Sequence, residues 1–440
     1  MLTWAFLAAF TLLSAPLYAL HIECVGDAYL CTNQGDTIFL TNSDVDLQTK
    51  DGSNTDWYNI DGTVYQTNTS SITPDDGGYY IIVNGAKEPF YVFNYAHFKP
   101  QNLTLEVETL QCRSTQLRLS DEIPAITYRT LAGQSRTLSR TCNISYTTIS
   151  WNSSDLIWND LDTVITSQPF HIGTYTLPPI YKATTISLSY DNWTANLNLP
   201  VDSVVTTVFQ PIAVTTAATS TTTTRGVAND PCNEVERPVE ESVLSGSAPL
   251  DILFRSYPSP AVEFYQWTIY KGSNRIAQRT DDQTRYAFQE PGSYRVVLNV
   301  SNAYCPCSDT ENSDCERDSI EFTVAVSESQ LLVPNVFTPN GDGSNDEFRV
   351  LYRSLKEFNI WIYNRWGKLV YHSTDPAKGW DGTINGRKAS VGAYFYVIRA
   401  LGTDATVDYS SKIKYKKNKN KNPEAIIGVY QLSGDINLIR

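Results

Sequence analysis

The run Asn340-Gly-Asp-Gly-Ser-Asn-Asp346 places side-chain oxygens at alternate positions, on Asn340, Asp342, Ser344 and Asp346. Gly341 and Gly343 between them give the backbone freedom for those oxygens to converge, as a hard cation such as Ca²⁺ requires. No Glu follows at the spacing of an EF-hand. The competing arrangement is an Asx-rich turn whose side chains bond their own backbone. Residue types alone leave both open. A second constellation is acidic and aromatic: Asp155, Asp160 and Asp162 lie close to Trp151 and Trp158. Paired carboxylates beside indoles could hydrolyse a glycoside, since that chemistry needs geometry and no short motif. The alternative is a core Trp followed by a polar loop. Two sandwiches of ~100 residues seldom enclose the deep cleft a hydrolase needs.

The cysteines fall in local groups: Cys24 with Cys31, Cys112 with Cys142, and Cys232 with Cys305, Cys307 and Cys315. An even number grouped by region reads as a disulfide framework where a chain is exported to an oxidising compartment. Zinc competes at Cys305, Cys307 and Cys315, although the CxxC spacing of most structural zinc sites is missing there. The four histidines, His21, His97, His171 and His372, form neither HExxH nor an HxH pair. There is no Gly-x-Ser-x-Gly elbow and no P-loop. The chain reads as a non-enzyme without a cofactor, calcium at the Asn340 loop being the open exception.

The elements that must carry these residues follow from length and pattern. A chain of 440 residues suits three or four domains of roughly 100 residues each. Its first 19 residues pass from an apolar run to Pro16 and small residues at Ala15 and Ala19, as a Sec signal peptide cut after Ala19 does. No later stretch approaches the ~20 apolar residues of a membrane span, so no transmembrane segment is expected in the mature chain. The net charge of −13 argues against nucleic acid as a partner, which would demand a basic footprint.

Runs such as Tyr79 to Val83, Thr185 to Tyr190, Arg295 to Val300 and Tyr394 to Ile398 are β-branched or aromatic and bounded by turn residues. The fold class is therefore all-β. A Trp followed at an interval by Gly-x-Tyr recurs four times: Trp57 with Gly78 and Tyr80, Trp151 with Gly173 and Tyr175, Trp267 with Gly292 and Tyr294, and Trp366 with Gly392 and Tyr394. An immunoglobulin-like sandwich supplies the reason, with a core Trp and a later strand opened by Gly and Tyr. Four tandem sandwiches follow. The expected divisions are a signal peptide at 1–19, a first domain at 20–100, a second at 101–212, a Thr-rich linker at 213–231, a third domain at 232–328 and a fourth at 329–440. Trp366 and Trp380 are both expected to pack as core aromatics.

Five blocks near the C-terminus carry a family resemblance: Val333 to Asp346, Ile362 to Tyr371, Gly379 to Gly386, Val391 to Ile398, and Gly434 to Arg440. Within them stand Pro334, Asn335, Phe337, Pro339, Asn364, Arg365, Trp366, Gly367, Trp380, Asp381, Gly382, Gly392 and Tyr394. Together they resemble the gliding-motility-associated C-terminal domain, the type B sorting domain of the type IX secretion system. That resemblance implies delivery by Sec to the periplasm, contact with the outer-membrane translocon, and residence at the cell surface or outside the cell. Lys412 to Lys421 carries six lysines, a solvated hairpin loop or a contact for acidic polysaccharide or translocon. Residues 232–326 are similar to PKD-type repeats through Gly246 to Leu250, Phe264 to Ile269 and Tyr286 to Leu298, with the family's acidic turn replaced by Trp267 to Gly272. The upstream sandwiches are thus expected to bind a glycan or protein as an adhesin would, the alternative being the glycan hydrolase above.

Overall fold

The computed structural model describes residues 20–99, 102–110, 114–121, 123–138, 140–167, 173–190, 192–226, 232–302, 317–406 and 427–440. The signal segment, Cys112, Cys305, Cys307, Cys315 and the lysine run from 412 to 421 lie outside the described residues. The protein is all-β, with 57% of the described residues in strands and 2% in helix. Alternating apolar residues explain most strands, because successive side chains point to opposite faces and only one face is covered. The chain divides into two compact units, residues 1–150 with 159–211, and residues 151–158 with 212–440.

In the first unit, six strands form one sheet in the order Ala28–Asn33, Asp36–Thr41, Ala86–Asn94, Gly77–Val83, Thr55–Asn59, Val64–Thr69. It packs on a small sheet of Ile22–Val25, Asp46–Thr49 and Ser71–Ile72 around Phe39, Leu47, Trp57, Tyr79 and Phe90. Asp36–Thr41 and Ala86–Asn94 are buried on both faces at their ends, Ile38, Leu40, Tyr91 and Phe93 pointing away from that core. Those four pack on Ile126, Tyr128, Leu138 and Trp193 of the second sandwich, so residues 20–99 and 102–211 share an apolar seam. The second sandwich has its own core of Leu105, Leu117, Leu119, Ile144, Leu177 and Leu188.

In the second unit, Thr216–Thr222, Leu250–Pro258 and Gln283–Phe288 face the sheet of Ser245–Gly246, Asp318–Val326, Gly292–Ser301, Phe264–Lys271 and Asn274–Arg279. Thr216–Thr222 corrects the linker expected at 213–231. It pairs antiparallel with Leu250–Pro258, from Thr216 opposite Pro258 to Thr222 opposite Ile252. Thr216, Ala217 and Thr222 are buried, and Val214 joins the core. The Thr-Ala composition looked extended and solvated, but Thr is β-branched and fits a pleated surface. Its hydroxyls find partners there: Thr222 Oγ1 donates to Val243 O at 2.6 Å, and Thr216 Oγ1 lies 2.9 Å from Ser256 Oγ.

A Gly-x-Tyr has a structural cause in three of the sandwiches, although in the first it is Gly77 with Tyr79, one position before the expected Gly78 with Tyr80. Tyr79 OH donates to Asp75 O at 3.0 Å, Tyr294 OH to Glu290 O at 2.6 Å and Tyr394 OH to Ser390 O at 2.9 Å. Each hydroxyl reaches back four residues and ties a loop to the start of its strand, a tyrosine corner. Gly292 and Gly392 adopt φ of 138° and 137° two residues before that Tyr, a backbone a side chain would strain. Trp57 and Trp267 fill their cores and donate Nε1 to Thr69 O and Asp281 O, both at 3.1 Å.

Candidate functional site

The fourth sandwich is built from Val336–Phe337, Val429–Leu438, Gly392–Gly402, Leu355–Tyr363 and Leu369–Ser373 in one sheet. Val336–Phe337 runs parallel to Val429–Leu438, with Asn437 N donating to Asn335 O at 2.9 Å and Ile439 N to Phe337 O at 3.1 Å. The first and last of the five sequence blocks are therefore neighbours. Phe337 lies 5.4 Å from Trp380, which meets Tyr394 edge-on at 4.9 Å. Backbone bonds between Phe348 and Trp380 in both directions, and Trp380 Nε1 to Thr383 O at 2.8 Å, hold the indole inside. Gly382 has φ of 70°, and a Cβ there would sit 3.0 Å from Pro339 Cγ and 3.2 Å from Leu438 Cδ1. Only glycine fits that approach. The Arg440 guanidinium donates to Ala389 O at 2.5 Å and Gly382 O at 3.0 Å.

Other motif residues make turns. Asn364 Oδ1 accepts from Trp366 N and Lys368 N at 3.0 Å each, and Gly367 closes that turn at φ of 76°. Asp381 Oδ1 accepts from Thr383 N and Oγ1, both at 2.9 Å. In the Asn340 loop, Asp346 accepts from Gly341 N at 2.6 Å and Gly343 N at 2.8 Å, while Asp342 Oδ1 accepts from Ser344 N at 2.8 Å. Asn340 Oδ1 accepts from Asp342 N at 3.0 Å, and its amide donates to Asp342 Oδ2 at 2.7 Å. That amide, and then the Ser344 N–H, hold the Asp342 carboxyl below the usual range. The Asx-rich turn is the arrangement whose hydrogen bonds the loop contains. No group of three or more metal-ligating side chains occurs among the described residues.

One motif residue corrects its expected place. Trp366 is 75% exposed at the tip of the Asn364 turn and contributes nothing to the core, which Trp380 fills instead. A hairpin tip points its side chains away from both sheets, whereas Trp380 is held under Phe337 by the Phe348 pairing. Arg365 lies over the Trp366 ring, its guanidinium carbon 4.3 Å from the centroid. Beside this turn the strands Thr383–Ile384 and Arg387–Lys388 form a second hairpin, and an open cleft of about 260 Å³ runs between them. The sequence reading missed Arg387 and Lys388, which carry no local signal beyond the Asn385-Gly386 turn that joins their strands.

The expected Cys24–Cys31 disulfide is not formed. Both are free thiols, Cys24 packed on the first core and Cys31 on the seam with the second sandwich. Their strands enter different sheets, so nearness in sequence does not become nearness of sulfur. Burial pushes the Cys31 thiol up to about 11, which suppresses its thiolate. Cys142 is buried and Cys232 exposed, and the partners expected for them lie outside the described residues.

The acidic constellation does not assemble as a hydrolytic site. Asp155 accepts from Asn152 Nδ2 at 2.8 Å, Lys182 Nζ sits 2.6 Å from both oxygens of Asp160, and Asp162 accepts from Thr147 Oγ1 at 2.8 Å. All three are exposed to solvent. Trp151 lies 5.1 Å from Tyr257, and Trp158 Nε1 donates to Tyr257 O at 3.0 Å. These indoles are packing groups.

Residues 331–415 match the family described as the CHU_C Type IX secretion signal domain, and residues 104–206 match the Fn3_FA fibronectin type III domain. No curated protein matches the chain. Among solved structures, a tetra-tandem repeat from the extending region of a large adhesion protein is 13% identical, over 91% of this chain and 96% of that one, with a TM-score of 0.20. The FN1–FN3 domains of chicken CNTN1 are 9% identical, over 68% of this chain and 92% of that one, with a TM-score of 0.22. The chain thus carries a type IX secretion signal domain preceded by fibronectin type III or immunoglobulin-like domains. That signal implies export to the cell surface or the extracellular space and interaction with the secretion system. No helix among the described residues is long and apolar enough to cross a membrane.

Proposed function

We propose that this protein is a non-catalytic cell-surface adhesin or ligand-binding protein, brought to the periplasm by Sec and then outward by its fourth sandwich. The observation that carries the reading is the type IX secretion signal match at 331–415, on a domain whose motif residues close into one packed unit. Closure is part of the proposal. Phe337, Trp380, Gly382, Tyr394 and Arg440 bring distant segments together, so a receptor would read a folded surface and not a linear tag. The upstream sandwiches, the third PKD-like by sequence, would act as spacers and as the surface that contacts a glycan or a protein.

Deleting Val333 to Arg440 should trap the remainder in the periplasm. Labelling of intact cells checks this, and unchanged surface display of the truncated chain would refute the reading. A glycan array on the full chain checks the second part, with binding expected and no hydrolysis of the bound sugar.

A further inference from the structure

Most motif residues of the fourth sandwich are consumed by its own fold: Phe337 and Trp380 in packing, Asn364, Gly367 and Asp381 in turns. Arg365 and Trp366 are not. The Asn364 carboxamide and Gly367 make their turn, leaving the indole 75% exposed with Arg365 over one face. Across the open cleft stand Arg387 and Lys388, both exposed, with Val391 at its rim, itself 61% exposed. Arg365, Arg387 and Lys388 have no ion-pair partner among the described residues. Three unneutralised cations gathered about one indole, on a chain whose net charge is −13, make a local reversal of sign. Cations so placed favour an acidic partner and steer its approach.

The rest of the lining narrows that partner. Trp and Arg are the side chains most enriched where protein interfaces concentrate their binding energy. A neutral sugar would ask for free acceptors around the indole; the carboxamide oxygen of Asn364 in the lining is spent on its own turn, and cations flank the ring. Val391 and Ile384 in that lining offer apolar area for aliphatic or aromatic side chains. We propose that the Arg365–Trp366 turn and the Arg387–Lys388 hairpin form a docking surface for an acidic protein segment that carries apolar side chains. Its carboxylates would meet the three cations, and an apolar side chain would lie on the indole face that Arg365 leaves open. The inference rests on the export reading and deepens it, by assigning this segment to the secretion machinery.

The test separates the two. Full-length protein is expressed in a bacterium with type IX secretion as wild type, Trp366→Ala, the pair Arg387→Glu and Lys388→Glu, and the deletion of Val333 to Arg440. Deletion should abolish surface display, and both point variants should cut it about tenfold or more. Their melting curves as purified full chains should match wild type, because these side chains are exposed. Normal display of the point variants with display lost in the deletion overturns the docking surface and leaves the export reading standing. Normal display of the deletion overturns both. The partner class is read by fluorescence anisotropy with a labelled peptide of alternating Glu and Phe. The wild-type chain should bind it about tenfold more tightly than the Gln–Phe counterpart, and Trp366→Ala should lose that margin. No binding of the acidic peptide, or preference for alginate or lipopolysaccharide vesicles over it, overturns the assignment to a protein segment.

Discussion

The seam inside the first unit and the seam inside the second are built from opposite materials. Between the first two sandwiches lie Ile38, Leu40, Tyr91, Phe93, Ile126, Tyr128 and Trp193, an apolar layer edged by polar groups and by the buried Arg140, which donates to Phe98 O at 2.8 Å. There Tyr128 OH donates to Asp36 Oδ2 at 2.9 Å and Arg136 lies 2.6 Å from the same carboxylate. The third and fourth sandwiches are stitched by hydrogen bonds instead. Val235 N donates to Tyr352 O at 2.7 Å and Tyr352 N to Asn233 O at 3.0 Å, so the two backbones pair. Asn233 Nδ2 donates to Val350 O at 2.8 Å and Pro376 O at 2.6 Å, and Ser354 Oγ to Ser327 O at 2.6 Å. Arg353 adds an ion pair with Glu236. Apolar burial is non-directional and scales with area, so it tolerates small shifts of one body on another. Hydrogen bonds fix register and angle, and a lost partner leaves a buried group unsatisfied. The seam nearer the export signal is therefore the more geometrically defined of the two.

The contrast makes an ordered set of predictions. Phe93→Ala should destabilise the first unit by about 3–5 kcal/mol, through lost transfer energy and an unfilled cavity. Calorimetry should show the first unit's transition moving while the second unit's stays in place. A uniform downward shift of both transitions would erase the distinction between the seams. Asn233→Ala should cost about 2 kcal/mol, because two backbone carbonyls lose their donor. Its mark should be faster proteolysis between the third and fourth sandwiches, with each sandwich's own strands still protected in hydrogen exchange.

The alkaline limb sharpens the picture of the apolar seam. Burial, and then the hydrogen bond to Asp36, push the Tyr128 phenol up to about 12. The unfolded chain releases that proton near 10, so neutral Tyr128 stabilises the fold below pH ~10, and this contribution is lost as pH rises through about 12. Tyr128→Phe should flatten the first unit's loss of stability across that window, and an unchanged slope would show that the phenol is not coupled to folding. The smallest effect is expected from His97, which lies 2.7 Å from Asp76 on the exposed rim. Its hydrogen bond to Asp76 raises the imidazole above its ordinary value. Its contribution is then complete below pH ~6.5 and disappears as pH rises through the raised value. NMR titration of His97 in wild type and Asp76→Asn should show that shift vanish, with hardly any change in melting temperature.

Local chemistry was readable in the residues. The Asn364-Arg-Trp-Gly turn and the Asp381 turn follow from side chains that bond backbone within four positions, and the structure has both. The all-β class followed from β-branched and aromatic runs between turn residues. The apolar seam also left a trace. Ile38-Phe-Leu40 and Phe90-Tyr-Val-Phe93 do not alternate, as strands covered on both faces need not. The Thr216–Thr222 strand was hidden because Thr serves an exposed linker and a pleated edge equally well.

What residue types could not decide was which surface covers which. Trp366 and Trp380 stand in similar company, beside Gly and turn formers, yet one is exposed and the other enclosed. Cys24 and Cys31 are seven positions apart and enter different sheets. Arg387 and Lys388 come to face Trp366 only because two hairpins of one domain rise on either side of a cleft. The sequence by itself determined most strands, the turns and the export motif, since each depends on backbone preferences and hydrogen bonds spanning a few residues. Tertiary structure alone decided the buried indole, the unpaired thiols and the cationic cleft, because burial and charge clustering are properties of surfaces assembled from segments far apart in the chain.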